Sequence, residues 1–174
     1  MHSDWIETYT GRTFWLPEVQ QESIDIVDIA HALSMTCRYS GHCNRFYSVA
    51  RHSIEVAKLV PDYLKLKALL HDASEAYLTD IPSPFKDMLN GYREFEDMIQ
   101  KAVFFKFGIE GPVNDPTIKE ADQLALKREA PRLGLTWAGS IDEDDPYILP
   151  PSNPEDDKAA FMAAFYIYSG DVPQ

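Results

Sequence analysis

The stretch YLKLKALLHDASEAYLT, residues 63–79, decides how the rest of the chain is read. Leu64, Ala68, His71, Glu75 and Leu78 recur at spacings of three and four, which places them on one stripe of a helix spanning about residues 63–79. A histidine and a glutamate therefore share an otherwise apolar face, with Asp72 beside them. The helix stops at IPSPF, residues 81–85, because two prolines lack N–H donors and bias Ile81 and Ser83 toward extended backbone.

Outward from this segment the same period recurs. Ile26, Ile29, Ala30, Leu33 and Cys37 predict a helix over about 24–37, and RYSGHCNRFY at 38–47 breaks it as a loop. Ser48 caps a helix of about 48–60 whose inner face holds Val49, His52, Val56 and Leu59. Asn90 and Gly91 turn the chain into a helix over 92–107, and Asp115 followed by Pro116 opens another that runs to about 130 with Ile118, Ala121, Asp122 and Ala125 inward. Residues 1–22 show no sustained period and read as an irregular or short-strand arm. Six helical periods without a convincing strand pair predict an all-α single domain over 1–174. It divides into the arm, a helical core over 24–130, an acidic, proline-rich and exposed loop over 133–154, and a C-terminal helix over 155–169.

Composition narrows the functional classes. A net charge of −12 and no run of cations disfavour polymeric nucleic acid as a partner. A hydrophobic fraction of 45% with 21 aromatic residues is too apolar for a disordered acidic chain. The longest nearly apolar stretch, Ala159 to Tyr168, is ten residues, short of the ~20 that cross a bilayer, so no membrane is expected. Two cysteines make no disulfide framework, and the N-terminus lacks a signal-peptide layout, which together predict a cytoplasmic protein.

His52, His71, Asp72 and Asp122 lie on or beside the inner faces of three predicted helices. Alone, His52 reads as a core histidine and Asp122 as an ion-pair partner. Together they form a candidate site for a divalent metal, because buried carboxylates need a compensating charge and two imidazoles with two carboxylates would hold one. Glu75, one turn after His71, is then placed to handle the proton of a water, or simply to fix the His71 tautomer. With no histidine after His71, the chain lacks imidazoles for a second metal of that kind. Cys37, His42 and Cys43 lack a paired zinc-finger spacing, and His31 reads as support or core.

His52, then HDASEAYLTDIPSPFK at 71–86, then KEADQLA at 119–125 resemble the H, HD and D motifs of HD-domain phosphohydrolases. The likeness covers about residues 24–130. It is greatest toward YfbR-type 5'-deoxynucleotidases and small phage enzymes that include dATP triphosphohydrolases. The resemblance implies an HD-domain helical bundle with His52, His71, Asp72 and Asp122 as ligands of one divalent ion (Zn, Co, Mn or Mg), and admits an additional Mg on the substrate phosphates. It implies Glu75 as the acid that orients or deprotonates water, Asp80 as the residue receiving the sugar 3'-hydroxyl, and Arg38 as a phosphate clamp. Tyr39 stands where the bacterial enzymes have tryptophan, and the spacing from Arg38 to His52 is one residue shorter.

Lys86 could reach a phosphate or remain solvated, and Trp15 and Phe14 could stack on a base or pack in a core or subunit contact. The implied activity is hydrolysis of a deoxynucleotide: a dNMP to deoxynucleoside plus phosphate, or a dNTP such as dATP to deoxynucleoside plus triphosphate. Small-molecule nucleotides would be the partners, and the protein a homo-oligomer, as the family tends to be, with a phage-encoded enzyme in host cytoplasm as one setting. A small alarmone (ppGpp) hydrolase fits less well, because Ala76 follows Glu75 where those enzymes carry a second acid. A non-catalytic nucleotide-binding or scaffold module would have no need of Glu75.

Overall fold

Ser48 accepts a hydrogen bond from the Arg51 amide and starts α2 (Val49–Lys58), the helix against which the site is assembled. In the computed structural model, which describes residues 4–16 and 18–171, α2 packs against α1 (Ile26–Met35), α3 (Lys65–Leu69), α7 (Pro116–Arg132) and α8 (Pro154–Ser169). Asp25, Asp115 and Asn153 cap α1, α7 and α8 through their side chains, and prolines occupy the first position of α7 and α8. Ile29, Leu33, Val49, Val56, Leu69, Ile99, Val103 and Phe161 are fully buried in one core. The C-terminal helix is part of that core, since α8 packs on α1, α2 and α3.

The fold is mainly helical with a small two-stranded sheet. Three features depart from the sequence expectations. The arm is ordered where described: β1 (Trp5–Glu7) and β2 (Thr13–Trp15) pair antiparallel, with Ile6 opposite Phe14. Phe14 is fully buried and stacks on Tyr77 at 3.9 Å between ring centroids, so the hairpin belongs to the core. Residues 1–3, Pro17 and 172–174 of the arm and tail lie outside the described residues. Second, the loop over 133–154 is not uniformly exposed. Leu133 and Leu149 are buried in a small cluster with Tyr47, and Arg128 holds Asp145 at 2.9 Å. Asp157, just beyond it, is fully buried against Ser48, Arg51 and Ser152, pinning the start of α2 to α8.

The third departure is the central one. Eight α-helices occur among the described residues rather than six, because the helix expected over 63–79 is broken in two and a one-turn helix follows at Ser83–Lys86. A short 3-10 turn (Asp62–Leu64) leads into α3, which ends at Leu69. Residues 70–74 form tight turns, and α4 (Glu75–Leu78) resumes after them. The cause is Gln100 of α6 (Tyr92–Lys106). An α-helix would bond the Ser74 amide to the Leu70 carbonyl; here the Ser74 amide donates to Gln100 Oε1 at 3.0 Å, and Gln100 Nε2 donates to Leu70 O at 2.6 Å. The amide is thus inserted into one rung of the helical ladder, a recognised cause of kinks. The backbone compensates with i to i+3 bonds, Ala73 to Leu70 and Glu75 to Asp72, which tighten the pitch. IPSPF also does more than end a helix: Ser83–Lys86 form α5, a single turn.

Candidate metal centre

His52 enters from the regular helix α2 and is fully buried. Its Nδ1 lies 2.9 Å from Glu129 Oε2, and the carboxylate makes Nδ1 the donor. The Nε2 lone pair then points outward, 3.0 Å from Asp122 Oδ1 and 3.9 Å from Asp72 Oδ2. Two acceptors face each other there, so either a proton on Nε2 or a cation must occupy the contact. Burial opposes protonation of His52, as does Arg38, but Glu129 and Asp122 outweigh them and move its pKa up.

His71 is presented differently. Its Nδ1 donates to Ala68 O at 2.8 Å, which fixes the tautomer and leaves the Nε2 lone pair free. That nitrogen is buried, has no hydrogen-bond partner among the described residues, and lies 3.2 Å from Asp72 Oδ2. Donor atoms of His52, His71 and Asp72 all fall within 4.8 Å of one another, a group that could hold a metal ion. Asp122 stands beside His52 from α7, outside that tightest group. Orphaned imidazole nitrogen, facing carboxylate oxygens and a mixed nitrogen and oxygen donor set fit a divalent cation.

Around these donors the structure brings together most of the other expected residues. A cleft of about 670 Å³ is lined by Arg38, Tyr39, Asp72, Glu75, Asp80, Lys86 and Asp122. Arg38 is buried, 4.0 Å from Asp72 Oδ2 and 3.6 Å from Glu129 Oε2, with its Nε unpartnered. Glu75 Oε1 meets Lys86 Nζ at 3.2 Å, while Oε2 is buried without a partner. Burial, with Asp72 and Asp80 nearby, pushes the Glu75 pKa well up against the opposing Lys86. Burial likewise raises Asp80. A carboxyl moved toward neutrality in a cleft is suited to proton transfer.

Backbone strain aims two of these groups. Tyr39 and Ser40 have φ of 57° and 51°, and Thr79 has φ 70° with ψ 158°, all unfavourable for residues with a Cβ. The left-handed turn carries Tyr39 into the cleft, and the Thr79 reversal redirects the chain just before Asp80. Such strain concentrates where side-chain placement matters.

Two expectations are corrected. Lys86 is not a solvated lysine; it is largely buried in ion pairs with Glu75 and with Glu96 at 2.5 Å. Trp15 stays on the hairpin beside Trp5, at 6.5 Å between centroids, and does not line the cleft. His31 stacks on Tyr9, and Cys37 and Cys43 face each other at 3.7 Å between sulfurs. The residue that sequence reading missed is Glu129. Fully buried, it is held by His52 and by the Tyr47 hydroxyl at 3.1 Å, and it fixes the His52 ring. Its signal was present: Glu129 lies seven residues, two helical turns, after Asp122.

Among the described residues no helix is long and apolar enough to cross a membrane. No protein-family model matches the chain. It is similar to the uncharacterized protein YfdR of Escherichia coli, 40% identical over 131 residues that cover 75% of this chain and 73% of YfdR. It is also similar to an uncharacterized protein of Rhodobacter capsulatus, 34% identical over 146 residues, 76% of this chain and 74% of that one. At that identity and coverage, the chain belongs to the same family as YfdR.

Proposed function

We propose that the protein is a metal-dependent phosphohydrolase of the HD-domain type that acts on deoxynucleotides. The observation that carries this reading is the convergence of the His52, His71 and Asp72 donors beside a cleft that Asp72 lines together with Arg38 and Glu75. The H, HD and D motifs on His52, His71–Asp72 and Asp122 support it from the sequence.

A divalent ion held by His52, His71 and Asp72, with Asp122 adjacent, would supply Lewis acidity and polarise a water. The chain's own residues do the rest. Arg38 offers a planar, bidentate fork to two phosphate oxygens, its charge held in place by Glu129 and Asp72. Glu75 Oε2, free of other partners, takes a proton from the attacking water. The water oxygen bonds to phosphorus, the ester bond breaks, and the departing sugar oxygen gains the proton that Glu75 took up. Asp80, on the same wall, receives the sugar 3'-hydroxyl and disfavours ribose.

An adjoining cleft of about 770 Å³ shares Asp72, Lys86 and Asp122 and could lead a longer phosphate chain away from the site. Its walls carry Glu94, Glu96, Asp97 and Asp115 besides Arg93 and Lys119. That balance favours a monophosphate, or a triphosphate already carrying Mg, over a bare triphosphate.

The test is metal analysis of the purified protein followed by a panel of dNMPs, dNTPs and the matching ribonucleotides, with products identified. Deoxynucleotide-dependent release of phosphate or triphosphate is expected, lost on chelation and in Asp72→Ala. Metal-loaded protein that releases nothing from any member would sink the reading, and tight nucleotide binding without turnover would assign a binding module instead. Equal rates on ribose and deoxyribose substrates would remove the role given to Asp80.

A further inference from the structure

The cleft is lined by Arg38, Lys86, Asp72 and Asp122 and also by Tyr39, Leu126, Leu135 and Trp137, with the Arg38 guanidinium 5.1 Å from the Tyr39 ring centroid. Trp137 is 64% exposed, an unusual position for the largest apolar side chain, and its ring lies edge-on to Tyr39 at 6.4 Å and 66°. The tryptophan is held there by construction. It sits on a 3-10 turn, Thr136–Ala138, bracketed by Gly134 and Gly139 at φ +83° and +87°. The turn is anchored by Leu135 N to Ala130 O and by Asn44 N to Leu133 O. A Cβ at Gly134 would lie 3.1 Å from Asn44, so that end of the turn has little freedom.

Tyr39 supplies the second, independent observation. Its left-handed backbone turns the ring toward the cleft, and its buried hydroxyl has no hydrogen-bond partner among the described residues. An unfavourable conformation and an unsatisfied hydroxyl at the same residue point to a ligand that completes both.

We propose that Trp137 and Tyr39 form a subsite for a planar heteroaromatic base, with Trp137 offering a stacking face and the Tyr39 hydroxyl a polar contact. This rests on the nucleotide reading above. It sets the base against Trp137 and leaves Arg38 for the phosphate, within a cleft volume ordinary for small-molecule sites. Stacking on an aromatic ring is tolerant of base identity, so the subsite selects for a base more than among bases.

The experiment titrates wild type, Trp137→Ala and Trp137→Phe with a dNMP and with 2-deoxyribose 5-phosphate, which lacks the base, following tryptophan emission and steady-state kinetics. The dNMP should quench wild type and leave Trp137→Ala unaffected, while the base-free sugar phosphate quenches neither. Trp137→Ala should lose about tenfold in kcat/KM, carried by KM, with Trp137→Phe keeping most of the affinity. Hydrolysis with an unchanged KM in Trp137→Ala overturns the subsite and leaves the phosphohydrolase standing. Base-dependent quenching lost in Trp137→Ala, with no hydrolysis of any nucleotide, retains the subsite and removes the phosphohydrolase.

Discussion

His52 and His71 contribute to one cluster, yet the protein supports them in opposite ways. His52 comes from an unbroken helix, is fully buried, and is braced by Glu129 and, behind it, Tyr47 and Arg38. His71 comes from a segment whose helix is interrupted by Gln100, and among the described residues its ring makes one hydrogen bond, to Ala68 O in the preceding turn. One histidine is built into the core; the other is set by a backbone irregularity. Loss of the first should damage the fold and the site together, whereas loss of the second should damage the site alone.

The largest expected effect tests that contrast directly. His52→Ala removes the main partner of a buried carboxylate and leaves a hole, so a destabilisation of about 3 kcal/mol or more is expected in a metal-free denaturant melt. His71→Ala, which gives up one hydrogen bond near the cleft surface, should cost about 1 kcal/mol. Both should abolish metal binding; equal stability losses would erase the distinction. Next in size is Gln100→Leu. It leaves the Ser74 amide and Leu70 carbonyl without their side-chain partner, an expected loss of about 1–3 kcal/mol, accompanied by faster amide exchange confined to 70–75. A melt like wild type would mean that the break is intrinsic to the segment. Glu129→Gln keeps the shape that braces His52 while removing its charge, so metal affinity should fall about 10–100-fold in a chelator competition without the destabilisation expected of His52→Ala.

The same contrast explains what the sequence could reveal. Regular helices announce themselves: α2 and α6 fall close to their expected bounds, and the inward direction of His52 follows from Val49 and Val56 on its face. The break at 70–74 was hidden because its cause is 26 residues away. LLHDASEA has a good helical period, and only the approach of Gln100 from α6 competes with it. The hairpin was hidden for a related reason: two three-residue strands carry too little alternation to register, and their stability comes from Phe14 packing on Tyr77. Glu129 lay within reach, on the face of α7 that Asp122 marks, but a buried glutamate is recognisable only when its partners are known. The grouping of His52, His71 and Asp72 was thus legible, and Glu129, which braces His52, was not.

The last expected effect concerns protons. Without a metal, burial opposes charge on His71, but Asp72 at 3.2 Å outweighs it and raises the pKa to about 9. An incoming cation must displace that proton, so affinity should rise with pH up to about 9 and level off above it. His52 is shifted upward as well, so wild type should gain between one and two powers of ten in affinity per pH unit across roughly pH 6.5 to 8.5. Chelator competition over that range measures the slope. Glu129→Gln weakens the interaction that helps His52 hold its proton and should flatten the dependence toward a single proton, because His71 and Asp72 are untouched. A slope unchanged by Glu129→Gln would mean that His71 alone sets the proton competition, and that the brace behind His52 serves geometry rather than charge.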